Sequence, residues 1–131
     1  MTTPRPWRWV DRKLLVLLHD ESLAMHGGAC GIRDEGLLES ALARAANLTS
    51  CGEPDFADLA ACYAFGLANN RPFIDGNKRA AFLSVGLFLG LNGYRLTSSQ
   101  AEAAVAVFGL AASDIDEPTF VAWLRERVAL R

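Results

Sequence analysis

Residues 80–91 read AAFLSVGLFLGL and carry no charge. A bilayer span needs about 20 apolar residues, so this run is too short to cross a membrane. A helix that is apolar on nearly every side has no place on a folded domain's surface and must be covered by neighbours. The run therefore predicts a central helix, starting near Gly76 or Asn77 and ending at Asn92, with Gly93 as its stop. With 51% apolar residues in 131, the chain has enough material for a real core around that helix. A single domain over residues 1–131 is expected, residues 1–9 forming a lead-in.

Punctuation divides the rest into further helices. Asp11 can cap a first helix to about Met25, with Leu14, Leu15, Leu17, Leu18 and Leu23 as its apolar surface. HGGACGIRD follows as a glycine-rich loop. Asp34 can cap EGLLESALARAA, and NLTSCGEP reads as a loop. Asp55 can cap a third helix ending near Asn70, because Pro72 disfavours helix at Arg71. After the central helix, YRLTS suggests one short extended stretch. Ser99 with Glu102 fits a capping box for a fifth helix to about Ala112. Asp116 with Pro118 opens a sixth, EPTFVAWLRERVAL. The expected fold class is all-α, a compact bundle of about six helices.

Net charge is −2, which gives no global basic field for nucleic acid. Cys30, Cys51 and Cys62 have no metal-ligand spacing and are expected to be reduced thiols. The N-terminal stretch MTTPRPWRW leads into a charged DRK, so no signal peptide is expected and a cytoplasmic location is. Arg5, Arg8, Arg12 and Lys13 read as a solvated basic face, and Trp7, Trp9 and Trp123 as packing residues.

The chemistry concentrates just before the central helix, in NNRPFIDGNKR. The first amides of a helix lack internal partners and carry partial positive charge. Gly76 lets backbone approach a ligand closely, Asn77 adds an amide, and Lys78 and Arg79 add two cations. Basic residues oppose the dipole at this end of a helix, so their clustering there favours a phosphate site over a solvated first turn. Asp75 beside bound phosphates suits a divalent cation, since Mg²⁺ is commonly held by one or two carboxylates plus phosphate oxygens. Phe73, two residues earlier, would point the same way as Asp75 in an extended loop and anchor it in the core. Neither GxxxxGK[ST] nor GxGxxG occurs in the chain.

The stretch RPFIDGNKR resembles the signature of the Fic/Doc family, HxFx[DE]GNGR, in its Doc (death-on-curing) toxin form with Lys in place of the second Gly of GNGR. The match covers Phe73, Asp75, Gly76, Asn77, Lys78 and Arg79. LHDESLAMHGGACGIRDEGLLESALAR, LANNRPF and FLGLNGYRL extend the resemblance over Trp7 to Leu130. It implies the compact helical Doc fold and an ATP-dependent protein kinase that phosphorylates a threonine of elongation factor Tu and stops translation. By position, Asp75 would help hold Mg²⁺. Gly76, Asn77 and Lys78 would form the anion hole, and Asn77 and Arg79 would contact the phosphates of ATP. The loop GGACGIRD would help meet the target, and a Phd-like antitoxin would neutralise the toxin. Two alternatives stand beside this reading: an AMP-transferase of the Fic type, against which GNKR argues, and a non-catalytic module that binds nucleotide or antitoxin.

One residue departs from the pattern. Where the family has the histidine that accepts the proton of the target hydroxyl, this chain has Arg71. Guanidinium has no acceptor and stays protonated. Three explanations fit: substitution that silences a toxic protein, a natural pseudoenzyme, or a base supplied elsewhere. The intact remainder of the motif favours the first. Arg71 can also pair with phosphate or with Asp75, keeping nucleotide while blocking transfer. His19, in LLHDE, reads as a hydrogen-bonded structural histidine, and His26 as a helix-end residue.

Overall fold

The computed structural model describes residues 6–131. Arg5 of the basic N-terminal stretch lies outside them. Six helices and two short strands follow in order: α1 (Arg12–His26), α2 (Glu35–Thr49), α3 (Phe56–Asn70), α4 (Asn77–Leu91), β1 (Tyr94–Leu96), α5 (Gln100–Ala111), α6 (Glu117–Glu126) and β2 (Val128–Leu130). The all-α reading holds. Among the described residues, no helix is long and apolar enough to cross a membrane.

Five helices start where a side chain caps them. Asp11, Asp34, Asp55, Ser99 and Asp116 each accept an amide hydrogen bond from the first turn of their helix. The reciprocal capping box forms at Asp55 and Asp58. Helix α4 is the exception. It starts at Gly76, with no side-chain cap.

Helix α4 packs against α1, α3, α5 and β1. It buries Ala80, Ala81, Ser84, Val85, Phe88 and Leu89. Helix α3 is its main partner and is itself buried along most of its length, from Ala57 to Leu67. The ring of Phe88 is met by Trp7, Trp9 and Tyr63, and Trp123 stacks on Phe120. The tryptophans therefore pack, as expected, although Trp9 stays partly exposed. Leu17, expected on the apolar surface of α1, is exposed, whereas Leu15, His19, Ser22 and Leu23 form the buried stripe.

Two boundaries differ from the sequence reading. Helix α2 continues through NLT to Thr49, whose hydroxyl donates to the Ala46 carbonyl at 2.6 Å. Nothing before Gly52 and Pro54 forces a stop. Helix α6 ends at Glu126, earlier than expected, because Val128–Leu130 pair antiparallel with Tyr94–Leu96. The Thr97 amide to the Arg127 carbonyl (2.7 Å) and the Arg131 amide to the Gly93 carbonyl (2.9 Å) extend this ladder at both ends. The partner of YRL thus comes from the far end of the chain.

Candidate functional site

The segment between α3 and α4 is fastened at three places. The first is the end of α3. Arg71 adopts a left-handed conformation (φ 51°, ψ 55°), its amide donating to the Leu67 carbonyl. Arg33, from the segment before α2, donates through Nε (2.9 Å) and Nη2 (2.6 Å) to the Arg71 carbonyl, and through Nη2 to that of Asn70 at 3.0 Å. Carbonyls at a helix C-terminus lack internal partners, and a guanidinium satisfies two here at once.

The second is a backbone zipper. The Pro72 carbonyl accepts from Arg33 (2.7 Å) and Asp34 (3.1 Å), Ile32 bridges Phe73, and the Ile74 amide donates to the Gly31 carbonyl at 3.1 Å. The GGACGIRD loop is therefore built against the motif. Phe73 is buried, as expected of an anchor. The chain bends at Ile74 and Asp75 rather than running extended, so Phe73 enters the core while Asp75 stays exposed.

The third fastening involves Asn77, Asp75 and His19. Asn77 uses its amide on the loop itself: Oδ1 accepts from the Phe73 amide (2.9 Å) and Nδ2 donates to the Phe73 carbonyl (3.0 Å). One carboxylate oxygen of Asp75 accepts from the Gly76 amide (2.8 Å), the other from the Ala29 amide (3.3 Å). The Asp75 carbonyl meets Nε2 of His19 at 3.0 Å. His19 is fully buried, its ring 4.1 Å from that of Phe73. Burial lowers its pKa, outweighing the opposing hydrogen bond to Asp75 and the charges of Asp20 and Asp75.

Arg71, Ile74, Asp75, Gly76, Asn77 and Lys78, with Ala68 of α3 and Ala111 of α5, line a cavity of about 470 Å³. Two cations, one carboxylate and the uncapped start of α4 converge there, a setting that suits an anion. Arg79 is placed differently. Its guanidinium donates to Ser22 Oγ (2.9 Å) and to Nε2 of His26 (3.3 Å) and lies over Phe82, so it faces α1. No ion pair joins Arg71 to Asp75 among the described residues, the Asp75 carboxylate being turned to the Gly76 and Ala29 amides. Nor do the described residues hold a group of three or more His, Cys, Asp or Glu that could bind a metal by itself. The one carboxylate in the cavity fits a Mg²⁺ that arrives with phosphate oxygens, not a cation held by protein alone.

The sequence reading missed the roles of Arg33 and Ser22, whereas His19 is the hydrogen-bonded structural histidine it expected. His19 was legible as a buried residue, because Leu15, His19, Ser22 and Leu23 share one face of α1 at helical spacing. Its target, 56 positions away in sequence, was not. A wider, mostly apolar groove of about 910 Å³ begins at Lys78 and runs along α5 and α6, past Val105, Phe108, Ile115 and Trp123 to Arg127.

The Fic/DOC family model matches residues 9–89, which span α1 through most of α4 and hold every fastening just described. The protein kinase doc of Escherichia phage P1 is 31% identical over 119 residues, covering 90% of this chain and 94% of the relative. Toxin Doc of Mycolicibacterium smegmatis is 40% identical over 75 residues, covering 55% of this chain and 57% of the relative. The helical bundle, the loop before its central helix and these matches agree, and the chain belongs to the Fic/Doc family.

Proposed function

We propose that this chain is a Doc-type toxin whose cavity binds Mg²⁺-ATP for phosphoryl transfer to a threonine of elongation factor Tu in the cytoplasm, and that Arg71 leaves it poor at the transfer. The observation that carries the reading is the cavity itself, where Arg71, Asp75 and Lys78 meet the uncapped N-terminus of α4. Membership of the Fic/Doc family and the name of the phage P1 relative, a protein kinase, support the reaction class.

The roles follow from chemistry. Lys78 and the first amides of α4 hold phosphate oxygens, and Asp75 shares the cation with them. Asn77 holds the loop closed through Phe73, so its contribution to the anion hole is through backbone. Arg79 reaches phosphate only by leaving Ser22 and His26. ATP supplies the transferred group, and Mg²⁺ offsets its charge. The proton leaving the attacked hydroxyl needs an acceptor, and Arg71 has none. It is a second cation beside Lys78 instead, favouring binding over turnover.

Calorimetric titration with ATP tests this. The expected result is Mg²⁺-dependent binding that weakens by about tenfold or more in Lys78→Ala and loses its Mg²⁺ dependence in Asp75→Asn. Binding that ignores both substitutions would remove the site. Intact mass of elongation factor Tu after incubation with Arg71→His separates phosphate transfer from the AMP transfer of Fic-type enzymes. Arg71 also favours a second reading, a pseudoenzyme that engages nucleotide or antitoxin without turnover. In either case a Phd-like antitoxin is the proposed partner, and the apolar groove beyond Lys78 is where its segment would dock. Val105→Glu in that groove is expected to weaken the complex, as measured by co-purification.

A further inference from the structure

His19 leaves one of its two ring nitrogens without a partner. Nε2 lies 3.0 Å from the Asp75 carbonyl oxygen, which can only accept, so Nε2 carries the proton. Nδ1 is then a bare acceptor, fully buried and unpaired among the described residues. An aliphatic side chain of similar volume would leave no polar atom stranded there. What histidine adds in return is one directed bond from α1 to the backbone of Asp75. The ring is also the surface on which the loop rests. A Cβ on Gly76 would lie 2.7 Å from His19 Cε1, and Phe73 packs on the same ring at 4.1 Å.

We propose that His19 is a positioning residue for the motif loop: its Nε2–H fixes the Asp75 carbonyl, and through it the backbone that places Asp75 and the first amides of α4 at the one cavity. His19 touches no ligand in this account and acts through Asp75. The ligand it serves is a divalent cation with a polyphosphate, and to that extent the inference rests on the proposed nucleotide site.

The test compares His19→Gln, whose amide nitrogen can take the place of Nε2, with His19→Leu, which fills the space without a donor. Three quantities are read for each: the thermal midpoint, the affinity for Mg²⁺-ATP, and the amide NMR shifts of Gly76 and Asn77. In His19→Leu the two amides are expected to move and affinity to fall by about tenfold or more. In His19→Gln both are expected to stay near those of the parent chain, which is a rescue that filling space alone does not give. Should His19→Leu not fold, His19→Asn replaces it, because its amide stops at the place of Nδ1 and cannot reach Asp75. Unmoved amides in the variant without a reaching donor would overturn the inference. So would a His19→Gln as impaired as that variant. If the parent chain binds no Mg²⁺-ATP, the nucleotide reading fails, and the amide shifts alone still decide for or against His19.

Discussion

Gly76 has a φ of 73° and no room for a side chain, since a Cβ there would meet the His19 ring. Gly76→Ala is therefore expected to cost roughly 1–3 kcal/mol, read by denaturant unfolding. Gly52→Ala is the control, because nothing lies within 4 Å of a Cβ placed there. Arg71 also has positive φ, and its carbonyl is held by Arg33. Arg33→Ala is expected to lose about 1–2 kcal/mol, because carbonyls at the end of α3 lose their donor to water at best. The cysteines, all free, give a third check at this scale. Cys30 and Cys51 are exposed, whereas burial pushes the Cys62 thiol up to about 11. A thiol reagent at neutral pH should titrate Cys30 and Cys51 fast and Cys62 only on unfolding. That Arg71, Asp75 and Lys78 come together was legible in the sequence because they are near neighbours in one loop, and they line one cavity. The work of Asn77 and Arg79 was not, because which partner a polar side chain takes depends on how the loop closes.

Helix starts were legible because a cap is local: one side chain meets an amide two or three positions on. The uncapped start of α4 was equally local, a glycine where the other helices have Asp or Ser. What local signals could not show was β2, three residues with no usable period, whose conformation is set by pairing with a strand over 30 positions earlier. The α3 start carries a prediction of its own. Asp55 caps α3 and meets Arg125 at 2.8 Å. Partial burial pushes its carboxyl up, but Arg125 and the α3 amides outweigh this and leave its pKa below the usual 3.8. A carboxyl lowered in the folded state adds stability above its unfolded pKa and loses it as pH falls through the folded value. From pH 6 down to 2, the parent chain should therefore lose more thermal stability than Asp55→Asn, with the difference opening below about pH 4. Parallel curves would mean that the Asp55–Arg125 pair adds nothing to folding.

At the scale of the molecule, the uncharged run at 80–91 determined most of the architecture. A helix that must be covered on nearly every side recruits α1, α3, α5 and β1 around it. Its N-terminus then opens into the cavity through which the chain would act. One buried helix thus sets both the core and the place of the loop, and the segment from α1 to α2 fastens that loop through His19, Arg33 and the Ile32–Phe73 bridge. On the proposed reading, nucleotide binding is intact and transfer is blocked at Arg71 alone. The most direct measurement is transfer of labelled phosphate from ATP to elongation factor Tu by the chain as it stands and by Arg71→His, with ATP affinity measured on both. Arg71→His is expected to raise the transfer rate by about 10²- to 10⁴-fold while affinity changes little. An Arg71→His protein that binds ATP yet transfers nothing, or a parent chain that already transfers as fast, would contradict it.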